Sequence, residues 1–154
     1  MTARNVKVTG LVSEDDMEGD SPEDSQLLRG MLAEARSFLS TRTWCLRIVK
    51  GYFGLGVGGV LAVFLFEIEP DQDADRFIWV VVGDVPTAYL AADAGGTPCE
   101  ALESYVHEME RWIEAVRTGR SVNTLIPVGV EATLQNAEEL QSRLEFIKVH
   151  FLRP

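Results

Sequence analysis

The residues of this chain best suited to do chemistry gather around Asp84. It comes after the run Trp79-Val80-Val81-Val82-Gly83 and before Val85-Pro86, so a strand would deliver its carboxylate at an end, where functional groups are often presented. Tyr89 and Asp93 lie on the next short segment, and Trp79 or Trp112 could line a cleft with them. Asp84, Tyr89, Asp93, Trp79 and Trp112 are therefore the candidate ligand-binding set. The competing reading of Asp84 is a turn residue whose carboxylate accepts hydrogen bonds from nearby backbone amides.

Other signs of chemistry are weaker. Gly54-Leu55-Gly56-Val57-Gly58-Gly59 matches GxGxxG, in which glycines let backbone amides approach a pyrophosphate at a helix N-terminus. Residues 60–66, directly after it, read instead as a strand, and no βαβ unit surrounds them. A glycine-rich β-turn or bulge is the expectation. Residues 51–66 carry no charge and hold small residues at a spacing suited to close helix contact. The run is bounded by Lys50 and Glu67, and a spanning helix needs about 20 apolar residues.

His107-Glu108 begins HExxH, but Arg111 stands where the second histidine belongs, and the other histidine, His150, is far along the chain. Cys45 and Cys99 form no CxxC pair and have no histidine beside them, so metal-ligand spacing is absent. No Ser/His/Asp order or nucleophile elbow occurs, and an enzyme on this chain would have to rely on carboxylates. No catalytic residue, metal site or cofactor is indicated.

The elements that would position these groups can be read from local patterns. Residues 1–20 are polar, with Glu14, Asp15, Asp16, Glu18 and Asp20 clustered, and read as a flexible acidic tail. Alternatively, Val6, Val8, Leu11 and Val12 add a short edge strand. Ser21-Pro22-Glu23-Asp24 caps and opens a helix, whose apolar stripe is Leu28, Met31, Leu32, Ala35, Phe38 and Leu39.

Strands are expected over residues 44–53, 60–68 and 76–82, with a kinked extension over 87–92 after Pro86. The short polar turn at residues 69–73 joins two of them as an antiparallel hairpin. Thr97-Pro98-Cys99-Glu100 is a capping box, with Thr97 and Glu100 satisfying each other's amides. The helix it opens carries Leu102, Tyr105, Val106, Met109, Trp112, Ile113 and Val116 on one stripe and ends at Gly119. Residues 121–130 form a loop with an apolar centre lying across the core. A last helix runs from about Thr133 to His150 on Ala137, Leu140, Leu144, Ile147 and Phe151.

The fold expected is α+β: an N-terminal helix, an antiparallel meander of three or four strands, then two helices on one face of the sheet. Two layers and a single domain over residues 21–154 suffice.

The stretch Phe77 to Leu90, with Ala101-Leu102-Glu103-Ser104-Tyr105 and Met109-Glu110-Arg111-Trp112, resembles an uncharacterised family of small bacterial proteins, a domain of unknown function. Its core is a strand ending in a Gly-Asp-Leu-Pro-like turn, with Ala-Tyr-Leu next. The likeness covers residues 25–150, though Val85 and Thr87 stand where the family pattern has Leu and Pro. It implies a bacterial source and a domain that stands alone in its chain, and no activity.

The totals narrow the partners. The 154 residues hold 14 Lys and Arg against 24 Asp and Glu, a formal charge of −10. That charge repels phosphate backbones and anionic headgroups, so neither nucleic acid nor a membrane is an expected partner. An acidic surface serves solubility or complements a basic protein. The acidic N-terminus lacks the basic flank and apolar core of a secretion signal, which points to the cytoplasm.

The leading functional expectation is a non-catalytic binding or interaction protein, an adaptor or neutraliser of a basic partner such as a toxin-like enzyme. The alternatives are a small enzyme or ligand-binding domain with its pocket near Asp84, Tyr89 and Asp93, and a homodimer built through a sheet edge or residues 51–66.

Overall fold

A computed structural model describes residues 11–71 and 75–152. Among those residues, the apolar run across the middle of the chain becomes an antiparallel sheet of five strands in sequential order. These are β1 (Val12–Ser13), β2 (Cys45–Val57), β3 (Leu61–Pro70), β4 (Phe77–Gly83) and β5 (Ala88–Ala91). Helix α1 (Pro22–Ser40) precedes β2, and α2 (Pro98–Arg117) and α3 (Leu134–Ile147) come after β5.

The pleat explains why β3 and β4 show no polar alternation. In β3, Ala62, Phe64, Phe66 and Ile68 pack with Leu28, Met31, Ala35 and Leu39 of α1. Their neighbours Leu61, Val63 and Leu65 pack with Tyr105, Met109, Trp112 and Leu144 of α2 and α3. Both faces of the central strands are thus dry, and successive side chains must all be apolar.

Helices α2 and α3 share one face, as expected. The expectation of two layers and three or four strands is corrected to three layers and five strands, because α1 covers the opposite face and β1 is only two residues long.

The N-terminal expectation also changes. Residues 1–10, and with them Val6 and Val8, lie outside the described residues. From Leu11 onward the chain is packed rather than a flexible tail. Val12 pairs with Phe53 and Met17 is buried. The Glu14 carboxylate accepts 2.7 Å bonds from the Gly51 N–H and from Arg36 Nη1. A charged acceptor joining an orphan amide of β2 to a guanidinium of α1 gives an acidic segment a reason to be ordered.

Helix starts match their capping signals. Ser21, Thr97 and Thr133 each accept a 3.1 Å bond from the backbone N–H three residues on. At α2 the reciprocal bond differs from the expected box, since the Glu100 carboxylate accepts from the Gly96 N–H and not that of Thr97. Gly119, at φ +72°, ends α2 in the left-handed region. Helix α3 stops at Ile147, and the expected continuation to His150 is a π-helical turn, Lys148–Leu152. The loop before α3 lays Leu125, Ile126 and buried Val128 against the core.

Strand β2 runs further than expected, to Val57, and takes Gly54 and Gly56 into the sheet. A Cβ at Gly54 would lie 2.7 Å from Pro98 Cγ and 2.9 Å from the Val63 carbonyl oxygen. The first turn of α2 therefore seats on bare backbone there.

Candidate functional site

The five sequence candidates do not converge. Trp79 pairs across the sheet with Leu90, and Tyr89 pairs with Val80. Tyr89 and Trp79 consequently point to opposite faces. Trp79 is fully buried, with its indole Nε1 donating to the Gly95 carbonyl at 2.9 Å, and Trp112 is buried in the same core. Tyr89 stands on the α1 side. Asp84 and Asp93 lie beyond opposite ends of the β4–β5 ladder, both away from the core.

At Asp84, the backbone N–H donates to the Val60 carbonyl at 2.9 Å. Its carboxylate is 72% exposed and faces Arg143 Nε at 3.4 Å. The two line a groove of about 520 Å³ that also takes in Ser142 and Phe146 of α3. Asp84 thus serves the turn through its backbone and α3 through its side chain.

The glycine motif is accounted for by packing. Asp24 of α1 accepts the Gly58 N–H at 2.6 Å, and Met31 Sδ accepts the Gly59 N–H at 3.3 Å. Two amides that a phosphate cradle would need are occupied from within the fold. His107 is exposed on α2, and among the described residues no cluster of metal-ligating side chains forms. Burial pushes the Cys45 thiol above its ordinary pKa, away from the thiolate. Tyr105 is buried and its hydroxyl donates to the Pro86 carbonyl at 2.5 Å. Desolvation holds its phenol above the usual range, so it acts as a neutral strut between α2 and the turn after Asp84.

A larger recess lies elsewhere, beside β5, with a volume of about 1060 Å³. It forms because β5 is a four-residue strand at the end of the sheet, and all four of its residues line it. One wall comes from the end of α1. The helix stops at Ser40, Thr41 Oγ1 donates to the Phe38 carbonyl at 2.8 Å, and the reversal sets Trp44 against Tyr89. The ring centroids of Trp44 and Tyr89 are 4.9 Å apart, and those of Phe38 and Tyr89 are 6.2 Å apart. Arg42 lies over the Phe38 ring at 4.4 Å. The other wall is the loop at residues 124–129, with Ser104 and Glu108 of α2 behind it. Asp71 and Asp75 close the end near the β3–β4 hairpin.

Of the sequence candidates only Tyr89 belongs to this trough, 38% exposed near its middle. Phe38 and Trp44 were legible as apolar residues but not as a site. Their signal was Phe38 beside Leu39, one apolar residue more than the α1 stripe needs, and a tryptophan placed where strand β2 has yet to begin.

No protein-family model matches the chain, and neither a curated protein nor a solved structure matches it.

Proposed function

We propose that this protein is a non-catalytic binding domain, that the trough beside β5 is its site, and that its partner is a basic protein. The observation that carries the reading is the aromatic cluster lining the trough at the edge of the sheet, exposed Tyr89 with partly buried Trp44 and Phe38 beside it. Aromatic rings on a rigid scaffold supply large contact area at low entropic cost, and such residues dominate binding energy where they are buried by a partner. Asp71, Asp75 and Glu108, the last paired with Arg111 at 3.3 Å, line the trough together with Arg42, in a chain whose formal charge is −10. Cations are attracted both by those carboxylates and by the faces of the rings.

The test is affinity capture from a bacterial lysate, with wild-type protein and the double variant Trp44→Ala/Tyr89→Ala immobilised in parallel. A basic protein held by the wild type at low salt, released at high salt and missing from the variant is the expected result. A partner held equally by both would place binding on another surface.

A second reading has its own observation, the pairing of Asp84 with Arg143 over the groove on α3. A small ligand carrying a carboxylate or phosphate could displace Asp84 from Arg143. A thermal-shift screen of small anions against wild type and Arg143→Gln tests it. Stabilisation of the wild type alone supports a ligand there, and equal shifts remove it.

A further inference from the structure

The trough runs along the outer edge of β5 rather than one face of it. Ala88 and Leu90 pack toward α2, and Tyr89 toward α1, yet all of them line it along with Ala91. Among the described residues, strand β5 pairs with β4 on one side only and ends the sheet. The backbone groups on its other side are a template for one more strand.

The two walls stand where the side chains of such a strand would go. Successive residues of an added strand point alternately to the two faces. On the α1 face they would meet Trp44, Tyr89 and Asp71, and on the α2 face the apolar Leu125, Ile126 and Val128.

We propose that the trough binds an extended, basic segment of the partner by strand addition to β5, with Arg or Lys side chains directed at Trp44 and Tyr89 and apolar ones at the loop. This deepens the proposed function and rests on it. The occupant is argued from charge complementarity: the carboxylates of Asp71 and Asp75 at one end of the trough and of Glu108 behind its loop wall, the aromatic faces of Trp44 and Tyr89, and a chain of net charge −10. Main-chain bonds to β5 would supply affinity, and the alternating pockets would supply the preference for basic and apolar residues in turn.

The test is selection of a random dodecapeptide phage library on the full chain, with counter-selection on Tyr89→Ala. Tyr89→Lys, which keeps a long side chain and adds a cation, serves as a second variant should the alanine form be unstable. The expected consensus alternates Arg or Lys with β-branched or aromatic residues. Backbone N-methylation of the best peptide should weaken binding by about tenfold at every second residue and little at those between, as the loss of single main-chain bonds predicts. Hydrogen exchange of amides in β5 should slow when the peptide binds.

A basic consensus insensitive to the N-methylation pattern would overturn strand addition and leave the basic partner standing. An acidic or helical consensus would overturn the inference. Equal recovery on wild type and both variants would overturn the inference and the trough as the site together.

Discussion

Asp24 is the residue through which the glycine-rich hairpin can be weighed. Its carboxylate accepts the Gly58 N–H at 2.6 Å and the Asp20 N–H at 2.9 Å, from a position in the first turn of α1. Hydrogen bonds to a charged acceptor contribute roughly 1.5–3 kcal/mol each. A half-buried carboxylate belongs at the low end of that range, so the two bonds together amount to about 2–3 kcal/mol. A negative charge near a helix N-terminus adds roughly 0.3–1 kcal/mol.

Asp24→Ala should therefore lose about 3 kcal/mol, which for a chain of this size lowers Tm by about 6–12 °C. Urea unfolding monitored by tryptophan fluorescence reads it directly, with an unchanged m-value showing that the unfolded state is unaltered. Asp24→Asn keeps an acceptor and should lose about 1 kcal/mol. A loss below about 0.5 kcal/mol for Asp24→Ala, typical of a plain surface substitution, would refute the claim that this carboxylate pins the hairpin to α1.

The same contacts set further outcomes. Glu14→Gln should destabilise by about 1–2 kcal/mol, since the Gly51 N–H and Arg36 lose a charged partner. Amide exchange at Gly51 should accelerate with it. Burial raises the Tyr105 phenol above its unfolded value, so its contribution to stability is complete below about pH 10 and is lost as pH rises further. Absorbance titration should accordingly show the Tyr105 phenol ionising only on unfolding. Tyr105→Phe should cost about 1 kcal/mol at neutral pH through the lost bond to Pro86. Cys99 is exposed and Cys45 buried, so a thiol reagent should modify Cys99 rapidly and Cys45 only after denaturation.

Helix starts were legible because capping is local. Ser21, Thr97 and Thr133 bond within their own first turns, and three residues of sequence suffice to see it. Strands β3 and β4 were legible as runs, but not the layer each side chain joins. Phe64 and Leu65 are equally apolar, and only the packing of α1 on one and α2 on the other tells them apart. Strand β1 is too short for periodicity and is held by the distant contacts of Glu14 with Gly51 and Arg36.

The site suffered most. Asp84, Tyr89 and Asp93 are close in sequence, yet a strand separates their ends and alternates their faces, so nearness along the chain did not become nearness in space. Trp44 and Tyr89 meet only because the reversal after α1 carries Trp44, ahead of β2, to the α1 side of β5, which no local pattern records.

A basic partner seated in the trough would lie against Tyr89, within reach of a crosslinker at that position. A photoreactive benzophenone amino acid in place of Tyr89, with the same group at exposed Glu138 on α3 as control, can be irradiated in lysate of the source organism. One adduct with a basic protein is expected from position 89, formed at low salt, suppressed at high salt and absent from the control. An adduct from position 138 alone, or the same adduct from both positions, would contradict a partner in the trough.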